Sequence, residues 1–273
     1  VQKKAVQLTF HRCDGSTWQK TTLAKGSSYS LPGVRDAEGY TFMGWSTKPM
    51  QSVSPQYEAE EKITVNGNVD LYAVVFNRTT ETDLTEDQLP QVDIYKYKQV
   101  IFVGDSRTEF MENVLTGMGE SATKNVKFVC SAGKGLDWFT TTGWAQLYSI
   151  VQHDSNSILS KKTAVIFNFG VNDLSKSADY AEYYNWIAPQ LKSKGCELYF
   201  MSVNPVNRLM LPNAGRADRS EAAVRSFNQY MKANLSSAYT YIDMYSYLKS
   251  TGYSFASDHY GTGTVDDGLH YTT

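Results

Sequence analysis

Short runs of apolar, β-branched residues recur through the last two thirds of the chain, and stretches with helical spacing separate them. The runs predict strands at about residues 99–103, 126–130, 164–169, 197–203 and 239–243. Helical patterns occur at Thr108 to Met118, Tyr180 to Lys194 and Asp218 to Leu235. Short strands that alternate with helices predict an α/β fold with a flavodoxin-like, three-layer, doubly wound parallel sheet.

The start of the chain shows a different pattern, in which apolar residues alternate along short segments with turns between them. Val6, Leu8 and Phe10 alternate, and the later segments at 40–45 and 69–74 are rich in aromatic and β-branched residues. Alternation of this kind predicts a small, mostly β domain.

The length of the chain also favours two domains, because 273 residues exceed the usual size of one domain. Residues 78–97 are polar and acidic and contain a proline. Such a composition is typical of a linker. We therefore predict a β domain at 1–77, a linker at 78–97 and an α/β domain at 98–273.

Composition excludes several classes of function. The 26 Lys and Arg against 28 Asp and Glu give a net charge of -2, so electrostatics favour neither nucleic acid nor an anionic membrane as a partner. The three cysteines are far apart and no Cys/His cluster has the spacing of metal ligands, so we predict no disulfide framework, metal site or cofactor. No stretch has the length and hydrophobicity of a transmembrane helix, and the N-terminus has no apolar core of a signal peptide.

Polar residues that could carry chemistry follow three of the predicted strands. Ser106 comes shortly after the first run, Gly133-Lys134-Gly135 after the second and Gly170-Val171-Asn172-Asp173 after the third. Parallel strands end at one edge of a sheet, where binding sites lie in folds of this type. A serine between a strand and a helix has an exposed hydroxyl beside backbone N–H groups, which suits a nucleophile.

A base for this serine is available near the C-terminus, in the segment Asp267-Gly268-Leu269-His270. Imidazole titrates near neutrality, so His270 can take the proton of a serine hydroxyl. Asp267, three residues earlier, could hold the imidazole in the required tautomer.

The ordered set of serine, glycine, asparagine and histidine resembles the four sequence blocks of the SGNH (GDSL-type) hydrolases, over roughly residues 98–270. The resemblance implies a catalytic triad of Ser106, His270 and Asp267. It also implies an oxyanion hole formed by the Ser106 N–H, the Gly135 N–H and the side-chain amide of Asn172.

Three of these assignments have rivals in the sequence. Gly133 competes with Gly135, Asp266 competes with Asp267, and His259, which follows Asp258, competes with His270. The spacing of the family's blocks favours Gly135 and Asp267. Members of the family continue past the histidine block into a closing helix, whereas this sequence ends at Thr273, so we expect His270 to lie on a frayed terminus.

The charged neighbours of these residues have structural roles in our interpretation. We interpret Asp105 as a helix cap or turn residue and Asp173 as an orienting carboxylate. Arg107 either binds a carboxylate of the substrate or pairs with a neighbouring acid.

The first domain carries a resemblance of its own. Its segments Gly39-Tyr40-Thr41-Phe42-Met43-Gly44-Trp45 and Asp70-Leu71-Tyr72-Ala73-Val74 resemble the Listeria-Bacteroides repeat, a β-grasp-like module of bacterial surface proteins, across about residues 5–77. The resemblance implies an extracellular or cell-surface location and contact of this domain with a cell wall or a host surface.

These observations predict a serine esterase that hydrolyses small acyl esters through an acyl-serine intermediate. The expected substrate is a small acyl ester or an acetylated glycan, with O-acetyl groups on carbohydrate as the preferred target. Two alternatives stay open: a cell-surface glycan-binding or adhesion protein with an inactive hydrolase-like domain, and an O-acyltransferase.

Overall fold

The computed structural model describes residues 4–36, 39–49, 54–77, 97–119, 124–154, 162–211, 219–255 and 267–271. Tertiary contacts divide the chain into two compact units. The first unit comprises Val1–Thr82, Pro205–Ala222 and Tyr245–Thr272, and the second comprises Asp83–Asn204, Ala223–Met244 and Thr273. This grouping differs from the predicted boundaries, because two segments after residue 97 join the N-terminal residues. The boundaries along the chain stay a prediction, and all of the predicted linker except Tyr97 lies outside the described residues.

Six strands form what we call the N-terminal module, residues 4–77 of the first unit. They are β1 Ala5–His11, β2 Thr17–Ala24, β3 Ser27–Ser30, β4 Tyr40–Ser46, β5 Lys62–Val65 and β6 Val69–Asn77. Four of them form a mixed sheet in the order β2-β1-β6-β4, in which β1 and β6 are parallel, and β3 pairs with β5. The predicted small β domain is confirmed.

Residues of β4 pack into two different clusters, and a shift of register between Phe42 and Gly44 lets Phe42 and Trp45, three residues apart, face the same one. Phe42 and Trp45 pack with Leu8, Phe10 and other apolar residues of the module. Met43 instead packs with Val74, Tyr253 and Phe255. The module therefore forms one core of its own and a second one with the segment around residues 253–255.

The second unit contains a parallel sheet of five strands. They are β7 Tyr97–Gly104, β8 Val126–Cys130, β9 Lys162–Asn168, β10 Cys196–Met201 and β11 Tyr239–Ile242, in the order β11-β10-β9-β7-β8. Numbered along this sheet alone, the order is 2-1-3-4-5, which is the flavodoxin-like order. The predicted fold class is confirmed, and each predicted strand overlaps an observed one.

Helices lie between and after these strands along the chain, and the last of them belongs to the first unit from Tyr245 onward. They are α1 Ser106–Gly117, α2 Leu136–Trp138, α3 Trp144–Asp154, α4 Ser177–Ser193, α5 Glu221–Asn234 and α6 Met244–Thr251, with a π-helical turn at Phe139–Gly143 and a 3-10 turn at Leu174–Lys176. Aromatic rings fill the space between sheet and helices: Tyr184 of α4 lies 4.7 Å from Phe167 and 6.1 Å from Phe200, measured between ring centroids. Within the described residues, no helix has the length and hydrophobicity needed to cross a membrane.

Candidate active site

The turn after β7 presents Ser106 as the first residue of α1. Asp105 caps this helix, and its Oδ1 accepts a hydrogen bond from the Arg107 N–H at 3.1 Å. The same carboxylate binds the Arg107 guanidinium twice, to Nε at 3.0 Å and to Nη2 at 2.9 Å. Asp105 is fully buried and Arg107 is 8% exposed. Of the two roles considered for Arg107, the structure shows pairing with a neighbouring acid.

Close packing fixes this turn against the end of β9. A Cβ atom on Gly104 would lie 1.9 Å from Thr108 Oγ1 and 2.9 Å from the Asn168 carbonyl oxygen, so only glycine fits. The Asn168 side-chain amide donates to Thr108 Oγ1 at 3.3 Å, and the backbone carbonyl of Asn168 accepts from Arg107 Nη2 at 3.1 Å. The backbone around Ser106 is therefore tied to the neighbouring strand.

The loops after β8 and β9 are joined by the Asp173 carboxylate. Its Oδ2 accepts from the Leu136 N–H at 2.9 Å, and its Oδ1 accepts from the Tyr180 hydroxyl at 2.7 Å. A Cβ atom on Gly135 would lie 2.3 Å from Oδ2. Burial raises the pKa of the Asp173 carboxyl above its ordinary value, although the hydrogen bonds from Tyr180 and Leu136 oppose this shift. These contacts fit the orienting role predicted for Asp173.

Positions 133 and 135, the two candidates for the family's glycine block, require glycine for different reasons. Gly135 has the close approach of Asp173, whereas Gly133 has a φ of +69° and nothing within 4 Å of the place where a Cβ would lie. Gly133 thus serves the backbone conformation of the loop. The assignment of Gly135 as the oxyanion donor stays a prediction.

Asn172 lies beside the same loop. Its side-chain amide donates to the Lys134 carbonyl oxygen at 2.7 Å. The contact joins the loop that carries Asn172 to the loop that carries Gly135.

A thiol also lies at this edge of the sheet. Cys130 ends β8, and its Sγ donates to Glu112 Oε2 at 3.2 Å. Burial, together with the Glu112 carboxylate, raises the pKa of the Cys130 thiol well above its usual value. Because the thiolate is the reactive form, Cys130 is not a candidate nucleophile.

Asp267 and His270 form a buried pair in the first unit. Asp267 Oδ1 accepts from the N–H groups of Leu269 and His270, both at 2.8 Å, and Oδ2 binds His270 Nδ1. Burial opposes ionisation, but the hydrogen bonds from His270 and Leu269 outweigh it and hold the pKa of Asp267 below its ordinary value.

The expectation that His270 lies on a frayed terminus is wrong, because its side chain is buried and bonded. His270 is 1% exposed and Asp267 is 7% exposed. Gly268 between them has a φ of +71°, and its carbonyl accepts from the Asn207 N–H at 2.8 Å. Packing against the segment that contains Asn207 holds the turn in place.

The predicted site residues thus fall into two groups. Ser106, Gly135 and Asn172 follow the carboxyl ends of β7, β8 and β9 in the second unit, whereas Asp267 and His270 lie together in the first unit. The triad of Ser106, His270 and Asp267 stays a prediction. The rivals Asp266 and His259, with Asp258, lie outside the described residues.

Two residues that hold the candidate site were missed at the sequence level. Tyr180 binds Asp173, and Asn207 binds the turn at Gly268. Tyr180 lies on the apolar face of α4, where the pattern predicts only packing. Asn207 lies in a loop, and no local pattern around it signals a distant partner.

Parts of this chain are similar to known proteins. The sequence has no match among curated proteins. A solved structure assigned as an SGNH hydrolase from Slackia heliotrinireducens is 15% identical, with a TM-score of 0.42 and coverage of 64% of this chain and 91% of that one. An acetyl xylan esterase is 12% identical, with a TM-score of 0.39 and coverage of 64% and 91%. A solved structure from Parabacteroides merdae that is described as a GDSL-like lipase is 12% identical, with a TM-score of 0.33, and the match covers 64% of this chain and 89% of that one.

These likenesses concern the fold alone, which the strand order of the sheet already establishes. In the first unit, residues 7–74 match the model of a protein family. The resemblance predicted for the first domain is confirmed, because residues 7–74 match the Listeria-Bacteroides repeat domain. For the C-terminal part of the chain, the likeness to SGNH/GDSL hydrolases is one of fold.

Proposed function

We propose that this protein is a serine esterase that hydrolyses small acyl esters, with O-acetyl groups on carbohydrate as its substrates. The buried pair of Asp267 and His270 is the observation that carries the proposal. A carboxylate bound to Nδ1 fixes the imidazole so that Nε2 acts as the base, which is the arrangement that serine hydrolysis requires. Ser106, after a parallel strand and at the start of a helix, is the nucleophile.

The reaction proceeds in two half-reactions. Ser106 Oγ attacks the ester carbonyl carbon while His270 Nε2 takes its proton, and the carbonyl oxygen becomes an oxyanion. The N–H groups of Ser106 and Gly135 and the amide of Asn172 stabilise this charge, each donor contributing roughly a hundredfold to a thousandfold in rate. The intermediate then expels the alcohol, which takes the proton from His270 and leaves an acyl group on Ser106.

The second half-reaction regenerates the enzyme. His270 takes a proton from water as the water oxygen attacks the acyl carbon, and the tetrahedral intermediate collapses. Ser106 Oγ leaves with the proton held by His270, and the acid is released. Asp267 stays ionised throughout and stabilises the imidazolium in both steps, which its lowered pKa favours.

The Listeria-Bacteroides repeat domain supports the proposed class of substrate. Domains of this family occur in surface proteins, and this chain carries one at residues 7–74. We therefore propose an extracellular or cell-surface location, where polysaccharides carry O-acetyl groups. Contact of the domain with a cell wall or host surface belongs to the same proposal.

Turnover of esters of graded chain length tests the proposal. We expect the parent protein to release acetate from nitrophenyl acetate and from acetylated glycans, with lower turnover of longer acyl chains. Ser106→Ala is expected to abolish release, and Ser193→Ala, which changes an exposed serine at the end of α4, is expected to behave as the parent.

Two other outcomes would favour the alternatives. Glycan binding without turnover, unchanged in Ser106→Ala, would point to a binding protein with an inactive hydrolase-like domain. Acyl transfer to an added sugar in preference to water would point to an O-acyltransferase. Product analysis by mass spectrometry separates these outcomes.

A further inference from the structure

The turn that carries Asp267 and His270 rests on the loop at residues 205–211, which belongs to the same compact unit. The Asn207 N–H donates to the Gly268 carbonyl oxygen at 2.8 Å. A Cβ atom on Gly268 would lie 2.5 Å from the Asn207 carbonyl oxygen, so the two backbones are in close contact. The backbone of Asn207 therefore fixes the middle of the turn.

The side chain of the same asparagine binds the N-terminal module. Asn207 Nδ2 donates to the Val34 carbonyl oxygen at 3.2 Å and to Asp36 Oδ1 at 3.1 Å. Asp36 Oδ1 also accepts from the Phe42 N–H at 2.9 Å, which links it to β4. Asn207 is thus a direct connection between the module and the turn.

The C-terminal end of the turn is also packed with the module. Tyr271 pairs with Phe255, and their ring centroids are 5.3 Å apart. These two residues belong to the cluster that contains Met43 and Val74 of the module's sheet. The Tyr271 hydroxyl donates to the Pro205 carbonyl oxygen, which joins this end to the same loop.

Helix α6, which precedes this cluster in the chain, carries a buried lysine that binds the module. Lys249 of α6 is 7% exposed and donates to the Met43 carbonyl oxygen at 2.7 Å. Its Nζ also lies 2.8 Å from Glu58 Oε2 of the module. The segment that reaches Phe255 is therefore held on the module as well.

From these contacts we infer that the N-terminal module is the structural support of the proposed catalytic turn, and that Asn207 is the positioning residue through which it acts. The inference rests on the proposed function, because it assigns His270 a catalytic role. The module is then a part of the enzyme's machinery in addition to any contact it makes with a surface.

The chemistry is sensitive to this support because a base must lie within hydrogen-bond reach of the proton that it takes. A misplacement of about 1 Å can cost about a hundredfold in rate. Loss of the two bonds from Asn207 Nδ2 leaves the residues of the turn unchanged and acts only through their position. The expected signature is a lower kcat with an unchanged KM.

Asn207→Asp is the informative variant, because Asn207 also has a local role. Its Oδ1 accepts from the Leu209 N–H at 3.2 Å within the loop. Aspartate keeps this acceptor but cannot donate to Val34, and its negative charge faces Asp36. Asn207→Ala removes both roles. Arg208→Ala is the matched control, since Arg208 lies in the same loop and forms a half-exposed ion pair with Glu60 of the module at 3.8 Å.

The test measures nitrophenyl acetate turnover and hydrogen exchange of residues 267–271 in the full chain. We expect Asn207→Asp to lower kcat by about tenfold or more with KM within about twofold, and to speed exchange at the Leu269 and His270 amides. Arg208→Ala is expected to match the parent in both.

Two results would overturn the inference. One is parent-like exchange and kcat in Asn207→Asp. The other is a defect in Asn207→Ala that Asn207→Asp does not share, because then only the local turn matters. Hydrogen exchange needs no activity, so an inactive parent would refute the proposed function while the exchange of the variants still tests the support.

Discussion

The turns at Ser106 and at His270 share a local hydrogen-bond geometry but differ in the partner of their buried aspartate. In each, an aspartate side chain accepts a hydrogen bond from the N–H two residues later, Asp105 from Arg107 and Asp267 from Leu269. The rest of each carboxylate has a different partner. Asp105 binds a guanidinium that stays charged, whereas Asp267 binds an imidazole that can exchange a proton. The partner of the buried acid, and not the turn itself, distinguishes the structural role of Asp105 from the chemical role proposed for Asp267.

The two turns also differ in what supports them. The turn at Ser106 is held by its own sheet, through Gly104, Thr108 and Asn168. The turn at His270 is held by a loop and by the N-terminal module. The first is held by residues close to it in the fold's regular elements, and the second by a loop whose Asn207 binds Val34 and Asp36, both more than 200 residues before His270.

The largest expected effect comes from removing the proposed nucleophile of the first turn or the proposed base of the second. Ser106→Ala and His270→Ala are each expected to lower kcat by about 10⁶-fold, because nucleophile and base act as one unit. The double variant is expected to be no slower than either single variant. Kinetics with nitrophenyl acetate provide the measurement. Effects that multiply in the double variant would mean that the two turns do not act as one site.

Asp267→Asn tests the chemical role of the second turn. The amide keeps an acceptor but no longer fixes the imidazole tautomer or stabilises its cation, so we expect kcat to fall by about 10⁴-fold. Asp70→Asn is the control, because Asp70 also binds a histidine, His11 Nε2 at 2.8 Å, but on the surface of the module. That variant is expected to retain parent activity. Similar losses in both variants would contradict a specific role for Asp267.

Asp105→Asn tests the structural role of the first turn. It leaves the buried Arg107 charge without its carboxylate, so we expect the free energy of unfolding to fall by about 3–5 kcal/mol. Lys162→Ala removes an exposed ion pair with Glu197 and is expected to cost no more than about 1 kcal/mol. Urea denaturation measures both. Equal losses would show that burial does not distinguish the two ion pairs.

A comparison of two glycines sharpens the account of the oxyanion hole. Gly135→Ala places a methyl group against Asp173, and we expect a loss of about 1–3 kcal/mol in stability together with a lower kcat. Gly133→Ala is strained by its positive φ but meets no neighbour, so we expect a loss of about 1 kcal/mol and unchanged kcat. The reverse pattern in kcat would assign the oxyanion donor to Gly133.

The smallest expected effect is on stability in acid. The lowered pKa of Asp267 means that its ionised form stabilises the folded state. This contribution is present above the unfolded pKa of about 3.9 and is lost as the pH falls through the lower, folded pKa. Unfolding curves below about pH 4 should therefore drop more steeply for the parent than for Asp267→Asn. Parallel curves would contradict the shift.

Much of this picture follows from local sequence. The runs around 99–103 and 164–169 predict buried parallel strands because apolar and β-branched residues dominate them, and the residues after them predict which edge carries polar groups. Asp105 and Asp173 were interpreted as structural carboxylates, and their contacts agree. Local pattern suffices where a residue's partners lie in the same or the next element.

The support of the second turn could not be predicted in the same way. Asn207 and Asp36 are 171 residues apart, and neither stands in a pattern that signals the other. Burial of His270 likewise depends on the segment at 205–211, whose sequence indicates only a loop. Such contacts arise from the packing of distant segments, which periodicity and spacing do not encode.

The most direct test of the central claim is mass spectrometry of the protein after reaction with an acylating or phosphonylating ester, with the modified peptide identified. The account predicts one adduct, on Ser106, that forms in the parent and in Ser193→Ala and is absent from Ser106→Ala. It also predicts a much slower reaction in His270→Ala. An active parent modified at another residue, or an adduct that forms equally fast without His270, would contradict the assignment of Ser106 and His270 as nucleophile and base.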